Sequence, residues 1–253
     1  VTQKTTDIMI LGALLPDERE DAVSAGLHVT ISSLLEAIEY NETGQRIGSR
    51  VRSHLVLDTG MGRLGFTEKE FISECPQISS LSNIETEGIA THFPCSDVDL
   101  EFTKNQIEKF ESIIKETKLK PRWIHLANSA GIINFGNAGG NMIRPGLMLY
   151  GISPTNDPSH KLKPAMEWKT RITQIRKLPP GSGISYGQTF ITNKDTLVAT
   201  VAVGYGDGYP RSVSGNDAEV IIQGKRCPLL GNVTMDMIMI DVSELSSSPC
   251  PGD

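Results

Sequence analysis

The stretch Ser53-His54-Leu55-Val56-Leu57-Asp58-Thr59-Gly60-Met61-Gly62-Arg63-Leu64-Gly65 runs from an apolar strand-like segment straight into a glycine-rich loop. Gly60, Gly62 and Gly65 let the backbone turn sharply and approach a ligand closely, while Arg63 projects a side chain able to bind an anion with two prongs. A strand ending in such a loop is where barrel enzymes keep their chemistry. Taken alone, the run reads equally well as a tight strand-to-helix turn with a solvated arginine.

The sequence on either side supports the barrel. Short apolar runs alternate with amphipathic stretches, the pattern of repeated βα units on a parallel sheet. Six strands are expected: Asp7 to Leu11, His28 to Ile31, Ser53 to Leu57, Ile84 to His92, Trp123 to Leu126 and Asn141 to Tyr150. Between them, Leu100 to Glu116 reads as a helix with Ile107, Phe110 and Ile114 on one face and Asp97 or Asp99 as its cap. A closed barrel needs eight strands, so two βα units are expected to precede Val1, since an open sheet would expose an edge there.

Near Pro158 the texture changes to longer alternating strands, Glu167 to Lys177, Thr196 to Gly204, Ala218 to Ile222 and Met237 to Val242, with no convincing helix. Turns such as Leu178-Pro179-Pro180-Gly181 separate them. The expected fold is therefore α/β: a partial (β/α)8 TIM-type barrel over residues 1–160, with about six of its eight strands, then a truncated all-β domain over residues 161–253.

Composition narrows the function classes. The 253 residues are 38% hydrophobic, enough for a sizeable core, and carry a net charge of −6. The only basic cluster, Lys115 to Lys120, falls on a helix as a solvated face, which argues against nucleic acid or an anionic membrane as partner. Cys75, Cys95, Cys227 and Cys250 have neither zinc-site nor disulfide-framework spacing, so no metal is expected. No apolar run is long enough to cross a bilayer, and a cytoplasmic protein is expected. The start at Val1 and the turn-like end Pro251-Gly252-Asp253 both read as cut ends.

Polar residues recur at the ends of the expected strands, which in a barrel gathers them around one mouth. His92 ends Ala90-Thr91-His92-Phe93, Asn128 and Ser129 follow Ile124-His125-Leu126, and Arg144 and Gly146 follow Asn141-Met142-Ile143. Ser129 and the amides of Arg144-Pro145-Gly146-Leu147 make a phosphate cradle that needs no lysine. A P-loop pattern is absent. In the second domain Ile184-Ser185-Tyr186-Gly187, Gly204-Tyr205-Gly206-Asp207-Gly208 and Met235-Asp236 stand out.

Together with Asp58-Thr59-Gly60-Met61-Gly62-Arg63, Thr91-His92-Phe93, Ala127-Asn128-Ser129-Ala130 and Arg144-Pro145-Gly146, these motifs closely resemble the alanine racemase family across essentially the whole chain. The resemblance implies pyridoxal 5′-phosphate (PLP) as cofactor, alanine as substrate, and racemisation by two bases on opposite faces of a planar intermediate, supplying D-alanine for peptidoglycan. It implies that Tyr186 is one base, supported by His92, and that a PLP-bearing lysine is the other. Arg144 would face the pyridine nitrogen and, as a pure donor, leave it unprotonated, with His125 behind it. Ser129, Gly146 and Leu147 would hold the phosphate, and Asn128 and Tyr205 belong to the same cofactor-binding set. Arg63, Met235 and Asp236 would contact substrate. The resemblance further implies a homodimer in which Tyr186, Tyr205, Met235 and Asp236 reach into the partner's barrel.

Two departures stand against that pattern. The family's PLP lysine lies in a Lys-Ala-Asn-Ala-Tyr-Gly-like motif at the end of the first barrel strand, and no such motif occurs here; Lys4 and the other lysines are in the wrong places. The chain by itself is therefore expected to be inactive. Val56 stands where many members carry a modified lysine that steadies the substrate arginine, so Arg63 needs another anchor or is looser. Two alternatives remain: a PLP-binding protein without catalysis, and a racemase acting on serine or several amino acids.

Overall fold

The computed structural model describes residues 6–155, 157 and 161–253; Lys4 and Pro158 lie outside them. The chain divides into two compact units, Val1–Met166 and Glu167–Asp253.

The first unit is built on a parallel sheet of β1 (Val29–Ile31), β2 (Val51–Val56), β3 (Ile84–Ala90) and β4 (Trp123–His125), hydrogen-bonded in that order. The helices α1 (Arg19–Ser24), α2 (Leu34–Ile47), α3 (Glu68–Ser80), α4 (Leu100–Thr117) and α5 (Ser129–Phe135) alternate with the strands. Val29, Ile31, Leu55, Leu57, Ile89 and Leu126 are all but inaccessible to solvent, as expected of strands covered on both faces.

Side-chain caps set where the helices begin. The Asp99 carboxylate accepts from the Phe102 amide (2.9 Å) to open α4, so Asp99 rather than Asp97 is the cap. Thr67 and Glu70 form a reciprocal capping box on α3. Along α4, Phe110 is buried while Ile107 and Ile114 pack partly buried against the same core, the face its periodicity predicts.

The outer two expected strands are only fragments of ladder. The segment at Met9 makes a single parallel bridge to His28, with His28 N donating to Ile8 O and Ile10 N to His28 O. The strand expected over Asn141 to Tyr150 does not form. Its start does lie along β4, where Asn141 N and Met142 N both donate to Ile124 O. However, the Asn141 side chain takes the next two backbone partners, accepting from Ile124 N (2.7 Å) and donating to Arg122 O (2.8 Å). Pro145 then removes a donor, and Leu147–Tyr150 closes into a 3-10 turn.

The second unit is all β. Its main sheet is antiparallel, in the order β11 (Ile238–Asp241), β8 (Thr196–Val201) and β5 (Ile172–Leu178). Two small hairpins accompany it: β6 (Gly183–Ile184) with β7 (Phe190–Ile191), and β9 (Glu219–Ile222) with β10 (Lys225–Pro228). The second turns through Gln223 and Gly224, both at positive φ, as a two-residue hairpin requires. Ala199, Val201, Ile238 and Ile240 centre its core.

The strand expected from Glu167 begins only at Ile172. Before it, Trp168 packs edge-on to Tyr209, the Thr170 hydroxyl donates to Ala202 O and Ala202 N donates to Arg171 O, so the segment is held by isolated contacts instead of a ladder.

Candidate active site

The loop after β2 is organised by Asp58. One carboxylate oxygen accepts from Gly60 N (2.8 Å) and Met61 N (2.7 Å), and the other accepts from Gly62 N (2.8 Å). Gly65, at φ 118°, closes the loop. A Cβ there would press on Val56 O and Asp58 N, so no side chain fits. Thr59 ties the loop to its neighbours, its hydroxyl lying 2.8 Å from the Thr91 hydroxyl and accepting from Gln106 Nε2 (3.0 Å). The Asp58 clamp was missed in the sequence, although an Asp followed by glycine amides is the pattern of a side chain bonding its own turn.

This loop forms one wall of a cleft at the carboxyl ends of the strands, which is also lined by Arg63, Val56, His92, His125 and Arg144. Arg63 is exposed and makes no hydrogen bond or ion pair with any described residue. Val56 sits beside it in the lining and offers no polar atom. Asp58, the acidic residue of the lining, has its carboxylate oxygens committed to backbone amides.

Arg144 is fastened far more firmly. Nη1 donates to His125 O (2.8 Å) and meets His125 Nδ1. Nη2 donates to Thr91 O (2.7 Å) and Leu126 O (3.0 Å) and lies 3.3 Å from His92 Nδ1. Nε, by contrast, has no protein partner among the described residues and is the unspent donor of a group lining the cleft.

Burial, with the Arg63 charge nearby, lowers the Arg144 pKa to about 10, so the group stays protonated at neutral pH. Burial, Arg144 and Arg63 depress His92 to about 4, and burial, Arg144 and His54 depress His125 to about 2. Both imidazoles are neutral at pH 7. Because a guanidinium can only donate, each accepts at Nδ1 and carries its proton on Nε2.

The expected phosphate residues also meet in the first unit. Ser129 opens α5, and its hydroxyl accepts from Gly146 N (3.0 Å) and Met148 N (3.3 Å), with Leu147 between them. Asn128 caps the helix, accepting from Gly131 N (2.9 Å) and from the Ser96 hydroxyl (2.9 Å) while donating to Phe93 O (3.0 Å). Asn128 is therefore spent on structure.

In the second unit, three loops bring the other candidates to the surface. Tyr186 is 73% exposed, Met235 61% and Tyr205 44%, and Asp236 is exposed as well. Tyr205 N donates to Thr234 O and Gly206 N to Met235 O, and Gly204 leaves no room for a Cβ against the Met235 backbone. Asn232 donates to Tyr186 O (2.8 Å), which joins the tyrosine's loop to the same group. Ser185, just before Tyr186, has φ 65° and ψ −177°, a conformation that residues other than glycine rarely adopt.

Comparison with known proteins gives this arrangement its family. Residues 2–154 match the model of the alanine racemase N-terminal domain and residues 165–253 that of the C-terminal domain. The chain belongs to the alanine racemase family. An alanine racemase of Halothermothrix orenii is 40% identical over 244 residues, covering 94% of this chain and 64% of its own length. Another, of Methylacidiphilum infernorum, is 41% identical and matched over 61% of its length. The chain thus spans somewhat under two thirds of these relatives. Among solved structures, the alanine racemase of Clostridium difficile 630 superposes with a TM-score of 0.91 at 32% identity, over 99% of this chain and 67% of that one. The alanine racemase of Bartonella henselae, solved with covalently bound pyridoxal phosphate, gives 0.85 at 25% identity, over 100% of this chain and 70% of that one.

Proposed function

We propose that this chain carries most of the active-site machinery of a PLP-dependent alanine racemase. The observation that carries the reading is the cleft of the first unit. Two guanidiniums line it, one locked and one free, and no acidic side chain pairs with either among the described residues.

That donor set fits the cofactor. Arg144 Nε–H is the unspent donor for an unprotonated ring nitrogen, and Ser129, Gly146 and Leu147 are placed to hold a phosphate. When bound, PLP supplies an electron sink for the carbanion formed at the substrate's α-carbon. The residues of this chain do the rest. Arg63, with no partner among the described residues, takes the substrate carboxylate. His92, neutral and accepting from Arg144 at Nδ1, presents Nε2–H as a donor to the hydroxyl oxygen of Tyr186 from a second copy. Tyr186 then moves a proton at the α-carbon on one face of the substrate.

The exposed loops bearing Tyr186, Tyr205, Met235 and Asp236 support a homodimer in which each β unit completes the partner's cleft. No helix among the described residues is long and apolar enough to cross a membrane, and we place the enzyme in the cytoplasm.

No lysine among the described residues lines the cleft. The chain alone, given PLP and L-alanine, is expected to make no D-alanine. Joined to an N-terminal segment carrying the family's Lys-Ala-Asn-Ala-Tyr-Gly-like motif, it is expected to racemise alanine and to lose that activity in Tyr186→Phe. A coupled D-alanine assay reads both, with serine and lysine tried alongside to set substrate breadth. Activity from the chain alone, or a joined protein indifferent to Tyr186→Phe, overturns the proposal.

A further inference from the structure

Three buried histidines from three different strand segments stand in file behind Arg144. His28 Nδ1 lies 3.1 Å from His54 Nε2, His54 Nδ1 lies 2.8 Å from His125 Nε2, and His125 Nδ1 meets Arg144 Nη1. Their exposures are 3%, 1% and 0%. The fold makes room for the middle ring. Gly88 on β3 has no side chain where a Cβ would overlap the His54 imidazole, and the β2–β3 register shifts between Ser53 and His54.

Donor and acceptor chemistry leaves this file one consistent direction. Arg144 only donates, so His125 accepts at Nδ1 and carries its proton on Nε2. That proton is donated to His54 Nδ1, which places the His54 proton on Nε2, and this in turn is donated to His28 Nδ1. The last proton, on His28 Nε2, has no hydrogen-bond acceptor among the described residues; the nearest carboxylate oxygen, on Asp7, is 3.9 Å away.

Asp7 and Glu87, the acids nearest the far end, are engaged by Arg52 at 2.8 Å and 2.6 Å. Burial first, and the neighbouring His28 and cations against the pull of Glu87, depress His54 to about 4, which agrees with a neutral ring.

We propose that His54 and His28 are positioning residues for Arg144, acting through His125 as a one-way hydrogen-bonded file that fixes which guanidinium donors are spent and which remains for the cleft. The role goes beyond the proposed reaction, because it holds whatever ring or anion the cleft takes. With His125 anchored from behind, its Nδ1 lone pair always faces Nη1. The strand-end carbonyls take Nη2, and Nε–H is left over. A histidine free to exchange tautomers would present a proton to the guanidinium for part of the time and push it out of register.

The test is nitrogen-15 NMR of the 253-residue chain labelled at histidine and arginine, at neutral pH and without cofactor. His28, His54 and His125 are each expected to show an unprotonated Nδ1 and a protonated Nε2, in one set of signals. In His54→Leu, which fills space but accepts nothing, His125 is expected to lose its single tautomer and the Arg144 guanidinium signals to shift. In His54→Asn, whose Oδ1 replaces the Nδ1 acceptor, both are expected to return toward the native pattern. A protonated Nδ1 or an imidazolium at His54 or His125 in the unsubstituted chain overturns the proposal, even if neither variant folds. So does a folded His54→Leu protein with unchanged His125 and Arg144 signals, the result expected if the ring only fills volume.

Discussion

The two units carry their functional side chains in opposite ways. In the first, Arg144 is held by backbone carbonyls of Thr91, His125 and Leu126 and by two imidazoles, and the His125 ring is bonded in turn to His54. In the second, the side chains of Tyr186 and Met235 stand mostly in solvent and that of Tyr205 is nearly half exposed, while the backbone beneath them is fixed. The barrel unit is thus a preorganised receptor whose electrostatics are set in advance, whereas the β unit presents side chains on a rigid base. That division of labour suits the proposed homodimer, in which each β unit would complete a second copy's cleft.

The contrast is broken most directly by substitution on each side. Arg144→Leu leaves the Thr91, His125 and Leu126 carbonyls and two imidazole nitrogens without their donor, and is expected to destabilise the first unit by about 3 kcal/mol in urea unfolding. Tyr186→Phe, removing one hydroxyl from an exposed ring, is expected to stay within about 0.5 kcal/mol. Equal losses from the two would mean that the tyrosine loop is as deeply built in as the arginine.

Acid sharpens the comparison, because the depressed histidines all belong to the first unit. His54 and His92 at about 4, and His125 at about 2, lie below the ordinary imidazole value of roughly 6.5 that the unfolded chain retains. Below that value the unfolded state binds more protons than the folded one, so stability falls as pH drops. The loss is expected to begin near pH 6.5 and to continue through about 4, with the unfolding midpoint moving most steeply there. The His54→Asn protein is expected to show a shallower fall. A midpoint that is flat between those values would show that the histidines are solvated.

Much of this receptor was legible in the sequence, for reasons that can be stated. The loop from Asp58 announced itself because its glycines and arginine are local chemistry, and α4 because its apolar spacing repeats over many turns. The strand misread over Asn141 to Tyr150 looked apolar enough, but the Asn141 side chain takes backbone partners there, and Pro145 breaks the run. The histidine file was unreadable for a different reason. His28, His54 and His125 each look like a solitary strand histidine, and only sheet register, with Thr30 opposite His54 and Ala90 opposite His125, brings the rings into line.

The smallest expected effect concerns what fixes the tyrosine's backbone. Ser185 holds a left-handed φ of 65° with an extended ψ, a region that costs a residue with a Cβ about 1–3 kcal/mol. Its hydroxyl donates to Asn232 O at 2.6 Å, and Asn232 in turn donates to Tyr186 O. The strain and the bond oppose one another, and two substitutions separate them. Ser185→Ala keeps the strain and loses the bond, so it is expected to cost about 1 kcal/mol. Ser185→Gly loses the bond but also relieves the strain, and is expected to be more stable than the alanine protein by about 1 kcal/mol in thermal unfolding. That order is informative because glycine ordinarily destabilises relative to alanine through the greater freedom of the unfolded chain. If alanine proves the more stable, the turn beneath Tyr186 carries no strain, and the rigid base assigned to the β unit rests on its hydrogen bonds alone.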